Sequence, residues 1–88
     1  MKGRDEATVI GFRQLKQLEK TSENRKGSNV KVSKGKLHAL LIDSMTKKNF
    51  DCETEVSRLI VSSKGKSDLI GIDQELLINR VKQNKREQ

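Results

Sequence analysis

The stretch Ser28-Asn-Val-Lys-Val-Ser-Lys-Gly-Lys-Leu-His-Ala-Leu-Leu41 (SNVKVSKGKLHALL) changes its apolar period partway along. Up to Ser33, Val30 and Val32 alternate with the polar Asn29, Lys31 and Ser33, the pattern of a strand with one dry face and one wet face. From Lys34 onward the apolar positions are Leu37, Leu40, Leu41 and Met45, which is helical spacing. A short strand therefore runs directly into a helix, with Ser33 placed to cap it. What this strand pairs with decides the fold.

Toward the C-terminus, the first helix is expected over residues 34–48, where Lys47 and Lys48 suit its negative end. Asn49 or Phe50 closes it. Asp51 can cap a second helix over 52–63, with Glu53 and Glu55 in its positive first turn and Val56, Leu59 and Ile60 facing inward. Ser-Ser-Lys-Gly-Lys-Ser at 62–67 breaks that helix, and Asp73 can cap a third, with Leu76, Leu77, Arg80 and Val81 at helical spacing. Toward the N-terminus, Phe12, Leu15 and Leu18 share a loose helical face within residues 6–20. Gly11 in its interior costs about 1 kcal/mol, so the expectation is a transient helix without fixed structure until a partner binds.

A lone strand leaves its backbone hydrogen-bonding groups unpaired and its valines without a lid. Within the chain only Thr8-Val-Ile-Gly-Phe12 and residues 57–62 (SRLIVS) compete as partners; the second fits a helix better, and the first has a glycine and no clean alternation. The preferred partner is a second copy of the same strand. Two chains then form an antiparallel ribbon around a two-fold axis, four helices cover Val30 and Val32, and the dimer is obligate. The composition agrees: 88 residues, 32% apolar, with two phenylalanines and no Trp, Tyr or Pro, promise only a thin monomeric core. One cysteine, Cys52, excludes an internal disulfide and points to a reducing compartment; with one histidine, His38, it makes no zinc site. No apolar run approaches the roughly 18 residues of a membrane span, and the first residues lack the apolar core of a signal peptide. A cytoplasmic protein is expected.

The net charge is +7, and it is unevenly spread. Residues 1–36 hold ten Lys or Arg against four Asp or Glu, whereas residues 37–88 hold nine against eight. Such asymmetry favours a polyanionic partner, nucleic acid first and an anionic membrane surface second, with a merely solubilising tail as the bland alternative. In the dimer, Asn29, Lys31 and Ser33 of both chains share one ribbon face. A two-stranded ribbon fits the major groove of B-DNA, where Lys donates to guanine, Asn pairs with adenine and Ser accepts either. Lys34, Lys47, Lys48 and a basic arm carrying Arg4, Arg13, Arg25 and Lys26 would add phosphate contacts.

The order of basic arm, short strand and two helices joined by the turn Lys-Asn-Phe-Asp (48–51) resembles the ribbon-helix-helix DNA-binding family. The likeness covers residues 28–63 and is greatest to plasmid centromere-binding and copy-control repressors of the omega and ParG type. It implies a mainly α fold with one short β-strand, an intertwined homodimer with a two-stranded antiparallel ribbon, and an extra C-terminal helix. The chain would divide into a flexible arm (1–27), a dimerisation and DNA-binding domain (28–66) and a C-terminal helix with a frayed tail (67–88). The resemblance implies a sequence-specific transcriptional repressor or partition adaptor for double-stranded DNA. Asn29, Lys31 and Ser33 would read bases, and the backbone amides of Cys52 and Glu53 would grip a phosphate. A partition role adds a ParA-type ATPase as partner, stimulated through Arg4 or Arg13. Two features depart from the pattern: Asp51, Glu53 and Glu55 crowd the second helix's N-terminus with negative charge, and the turn lacks a glycine.

Other chemistry is sparse. His38 lies just off the apolar face with no carboxylate or cysteine at convincing helical spacing, and Cys52 suits packing. The SSKGKS run lacks the glycine spacing and preceding strand of a phosphate loop, so neither an enzyme nor a cofactor or metal is expected. A competing reading is a protein-interaction module, such as an antitoxin or an inhibitor of a larger machine, resting on the amphipathic residues 6–20 and the unassigned C-terminal helix. Binding of single-stranded RNA fits poorly with only two aromatics.

Overall fold

A computed structural model describes residues 4–25 and 29–87. Its elements in chain order are α1 (Arg4–Glu23), β1 (Asn29–Ser33), α2 (Lys34–Thr46), α3 (Cys52–Ser62), β2 (Leu69–Asp73) and α4 (Gln74–Arg86). Local chemistry sets most of these bounds. Ser33 is extended (φ −68°, ψ 128°), and its Oγ accepts from the Lys36 amide at 3.3 Å, which starts α2. Asp51 does the same for α3 through the Thr54 amide at 3.1 Å, and Asp73 for α4 through the amides of Glu75 and Leu76 at 2.9 and 3.2 Å. All three caps and the inward leucines of α2 stand where the sequence places them.

The strand's partner does not. β1 pairs antiparallel with β2 of the same chain, in the register Asn29 with Asp73, Val30 with Ile72, Lys31 with Gly71, Val32 with Ile70 and Ser33 with Leu69. Leu-Ile-Gly-Ile-Asp has the alternation of a half-buried strand, interrupted only by the side-chain-free Gly71 at its centre. Val32 and Ile72 are fully buried, so the shelter assigned to a second chain is supplied from within the molecule. The ribbon therefore closes inside one chain, and the physical premise of an obligate homodimer is corrected. The C-terminal segment is likewise no appendage, because it contributes β2 and the buried Leu77 and Val81 of α4.

The six elements form two helix–strand–helix halves, α1-β1-α2 and α3-β2-α4, with equivalent side chains in equivalent places. Val32, Leu37 and Leu41 in the first half correspond to Ile72, Leu77 and Val81 in the second, and all six are fully buried. Leu15, Leu18 and Ser22 on α1 correspond to Val56, Leu59 and Ser63 at α3. The match extends to single hydrogen bonds. Ser63 Oγ accepts from the Ser33 amide at 2.8 Å, and Ser22 Oγ accepts from the Asp73 amide at 2.9 Å, so each strand's last N–H is satisfied by the serine ending the helix of the other half. Ser44 and Asn84, equivalent positions on α2 and α4, bond directly to each other at 2.9 Å.

The N-terminal segment is the second correction. Residues 4–23 form α1, and its Leu15 and Leu18 belong to the same core as Val32, Leu41 and Ile72. Gly11, which weakens a helix in isolation, is here a close-approach site. A Cβ at that position would lie 3.3 Å from His38 Cδ2 and 3.4 Å from Ile42 Cγ1, so its absence lets α1 lie tightly on α2. Gln14 adds a reciprocal pair of bonds with Asn84 at 2.8 and 3.0 Å, joining α1 to α4. The Cα radius of gyration, 12.2 Å, matches the roughly 12 Å of a self-standing domain of this length.

Because α1 is part of the core, Leu15→Ala should destabilise the chain by about 2–5 kcal/mol, the range for large-to-small changes at buried sites. Deleting residues 1–23 should abolish cooperative unfolding altogether. Urea melts followed by circular dichroism check both; unchanged stability in either variant contradicts the placement of α1.

Candidate nucleic-acid interface

Alternation along the ribbon divides its side chains. Val30, Val32, Ile70 and Ile72 face the helices, and Asn29, Lys31, Ser33, Leu69, Gly71 and Asp73 belong to the other face. That face is only partly open. Asn29, Lys31 and Leu69 are exposed, whereas Ser33 and Asp73 are buried by the helices they cap. Of the three expected base readers, Lys31 is the least encumbered. Asn29 is exposed, but its Nδ2 donates to the Ser22 carbonyl at 3.1 Å, leaving its oxygen and one N–H for other partners. Ser33 is corrected: its hydroxyl accepts from Lys36, donates to Asp68 Oδ2 at 2.9 Å, and has no route to a base edge. The second strand brings Leu69, Gly71 and Asp73 in place of a second Asn, Lys and Ser.

Around the Ser33/Leu69 end of this ribbon the chain gathers lysines. Lys34 and Lys36 open α2, and Lys64 and Lys66 lie in the turn leading from α3 to β2. That turn is tight because Gly65 has φ +81°, in the left-handed region that favours glycine, and the Lys66 amide bonds back to Ser63 O at 3.1 Å. The two lysine pairs are tied together through Asp68. Its carbonyl accepts from the Lys34 amide at 2.9 Å, and its Oδ2 accepts from the Gly35 amide at 3.1 Å and from Ser33 Oγ. These donors, Gly35 first and Ser33 second, hold the Asp68 carboxyl below the ordinary aspartate value of 3.8. Lys36, and Lys64 and Lys66, whose link to the ribbon depends on β2, have no place in the sequence reading of the site.

The remaining expected contacts are dispersed. Lys47 and Lys48 follow the far end of α2, roughly 20 Å along a helix of this length from the ribbon, and Lys47 pairs with Asp43 at 3.6 Å. The phosphate grip expected at the backbone amides of Cys52 and Glu53 falls in an open concavity lined also by Asp51, Lys82, Lys85 and Arg86. Cys52 is buried, Glu53 meets Lys82 at 3.4 Å, and the Asp51 carboxylate already occupies the helix N-terminus, its pKa lowered chiefly by the Thr54 backbone bond. A phosphate there would meet the acids Asp51 and Glu53 together with the cations Lys82, Lys85 and Arg86. Arg13 is exposed on α1, and Arg25 reaches Asp73 Oδ2 at 3.8 Å. Lys26 and the side chain of Arg4 lie outside the described residues. His38 is partly packed, its Nε2 2.9 Å from the Thr8 carbonyl and its ring edge-on to Phe12. Among the described residues no group of three His, Cys, Asp or Glu is placed to hold a metal ion, and no helix is long and apolar enough to cross a membrane.

No protein-family model, no curated protein and no solved structure matches this chain.

Since the folded-state pKa of Asp68 is depressed, its bonds to Gly35 and Ser33 support the ribbon end fully above the ordinary value of 3.8 and are lost as pH falls through the folded value. The amide proton shift of Gly35 in an acid titration by NMR should show a midpoint below 3.8, and Asp68→Asn should remove that transition. A midpoint at or above the ordinary value contradicts the assignment.

Proposed function

We propose that this chain is a non-enzymatic, double-stranded-DNA-binding protein, of the transcriptional repressor or partition-adaptor type, that presents its two-stranded ribbon to the major groove. The observation that carries the reading is the ribbon itself. It offers Lys31 and Asn29 on its open face, and Lys34, Lys36, Lys64 and Lys66 stand at one end of it, where the acid Asp68 is engaged by its own neighbours. A ribbon of this width fits the groove, and lysine and asparagine are the side chains that suit guanine and adenine edges. The surrounding ammonium groups would supply the sequence-independent phosphate attraction.

The ribbon-helix-helix resemblance is compatible with this arrangement in a changed form. The order β1-α2-α3 occurs once along the chain. β2 and α4 supply a second strand and helix, and α1 takes the position of the remaining helix from the other end of the sequence. On this reading one chain would hold the parts that the family assembles from two, and the binding unit proposed is a single chain. A flexible arm acting on a ParA-type motor has no support in this arrangement, because α1 is built into the core. The interaction-module reading loses the features that favoured it, since residues 6–20 and the C-terminal helix find their partners within the chain.

Fluorescence anisotropy with a mixed-sequence duplex at several salt concentrations tests the proposal. Affinity should fall steeply with salt, and each of Lys34, Lys36, Lys64 and Lys66 replaced by Ala should reduce the log–log slope by about 0.9. Lys31→Ala should cost about 1–3 kcal/mol on a preferred sequence and less on random duplex. Salt-insensitive binding, or slopes unmoved by the lysine variants, would contradict the reading.

A further inference from the structure

We infer that the protein binds duplex DNA one chain at a time on an asymmetric, non-palindromic site, with the lysine-bearing end of its ribbon on one flank and Leu69 against a thymine methyl. The inference rests on the DNA-binding reading above and concerns what that ribbon would recognise. Its basis is a mismatch between backbone and side chains. The backbone is close to two-fold: Lys31 and Gly71 face each other in the register and are also equivalent positions of the two halves, so the approximate axis passes between them.

The side chains do not follow that axis. Asn29 corresponds to Leu69, Lys31 to Gly71, Lys34 to Gln74 and Gly35 to Glu75. A symmetric ribbon would set two lysines opposite each other at its centre, where like charges repel. Instead a Cβ built on Gly71 would lie 3.9 Å from both Lys31 Nζ and Asn29 Nδ2, so these two polar groups lean over the second strand. The ends differ as well. The Ser33/Leu69 end carries Lys34, Lys36, Lys64 and Lys66, whereas at the Asn29/Asp73 end Arg25 is matched by Asp73 at 3.8 Å with Glu75 exposed beyond it.

A palindromic site offers identical phosphates and base edges to both ends of a ribbon, and among the described residues the two ends of this ribbon carry different side chains. Its second strand contributes one exposed apolar side chain on the open face, Leu69, which is 38% accessible and opposite Ser33. The thymine 5-methyl is the apolar group that the major groove presents. Polar readers on one strand and an apolar reader on the other therefore specify two different half-patterns.

The full-length chain should be used to select binders from a pool of random-sequence duplexes, followed by sedimentation of the chain with the recovered duplex. The expected result is a motif without two-fold symmetry, bound by one chain per site. Replacing thymine in the motif by deoxyuridine should weaken the wild type about fourfold, as loss of one buried methyl group implies, and should leave Leu69→Ala unaffected. A palindromic motif, or two chains per site, overturns the inference while leaving DNA binding intact. Equal deoxyuridine effects in wild type and Leu69→Ala overturn the role of Leu69. A pool that shows no enrichment overturns the DNA-binding reading and the inference with it.

Discussion

The pairing of β1 with β2 is the constraint on which the molecule depends. It satisfies the backbone of both strands, buries Val32 and Ile72 completely, and fixes where α2 and α4 begin, because the last residue of each strand is also a helix cap. A strand end that caps a helix cannot shift register without uncapping it. The serines of the opposite halves, Ser63 and Ser22, accept the Ser33 and Asp73 amides and so lock the same two positions from the side. Among the described residues, every buried side-chain nitrogen or oxygen has a partner. The polar residues of this small core are thus part of its framework, with fully satisfied bonds worth keeping in a low-dielectric interior.

Much of this was legible locally. Helix caps act within three residues of themselves, so Ser33, Asp51 and Asp73 are readable from sequence alone, and so is the leucine face of α2. The strand β1 was equally clear. Its partner was not, for two reasons. Gly71 breaks the apparent strength of Leu69–Asp73, and Asp73 reads as a helix cap without revealing that it also ends a strand. With the internal partner hidden, a second copy of β1 became the natural way to shelter the valines. The same blindness to distant packing made α1 look unstable. Gly11 is a local penalty, and the tight approach to His38 and Ile42 that repays it involves residues far along the chain.

The candidate site shows the same division. Asn29 and Lys31 follow from strand alternation and are exposed as expected. Ser33 satisfies the alternation too, but burial by its own helix removes it. Lys64 and Lys66 belong to a run that reads locally as a helix breaker, and nothing local connects that run to the ribbon. The connection is made by Asp68, which reaches across to Gly35 and Ser33. The internal duplication was also hidden, because corresponding positions such as Val32 and Ile72 or Leu41 and Val81 keep hydrophobicity and size without keeping identity. Core positions tolerate such volume-conserving exchange, and surface positions are freer still.

The bond network of Gln14, Ser44 and Asn84 has a consequence for the way the chain reaches its final state on the ribosome. Gln14 emerges first, Ser44 next and Asn84 last, 70 residues after Gln14. When Gln14 leaves the exit tunnel, the apolar side of α1 has neither β2 nor α4 to rest on, and both complete it only after all the other elements have emerged. At elongation rates of about 5–20 residues per second the nascent chain spends several seconds with that surface only partly covered. The architecture therefore postpones its cooperative collapse until α4 has emerged, and the first of these helices waits for the last.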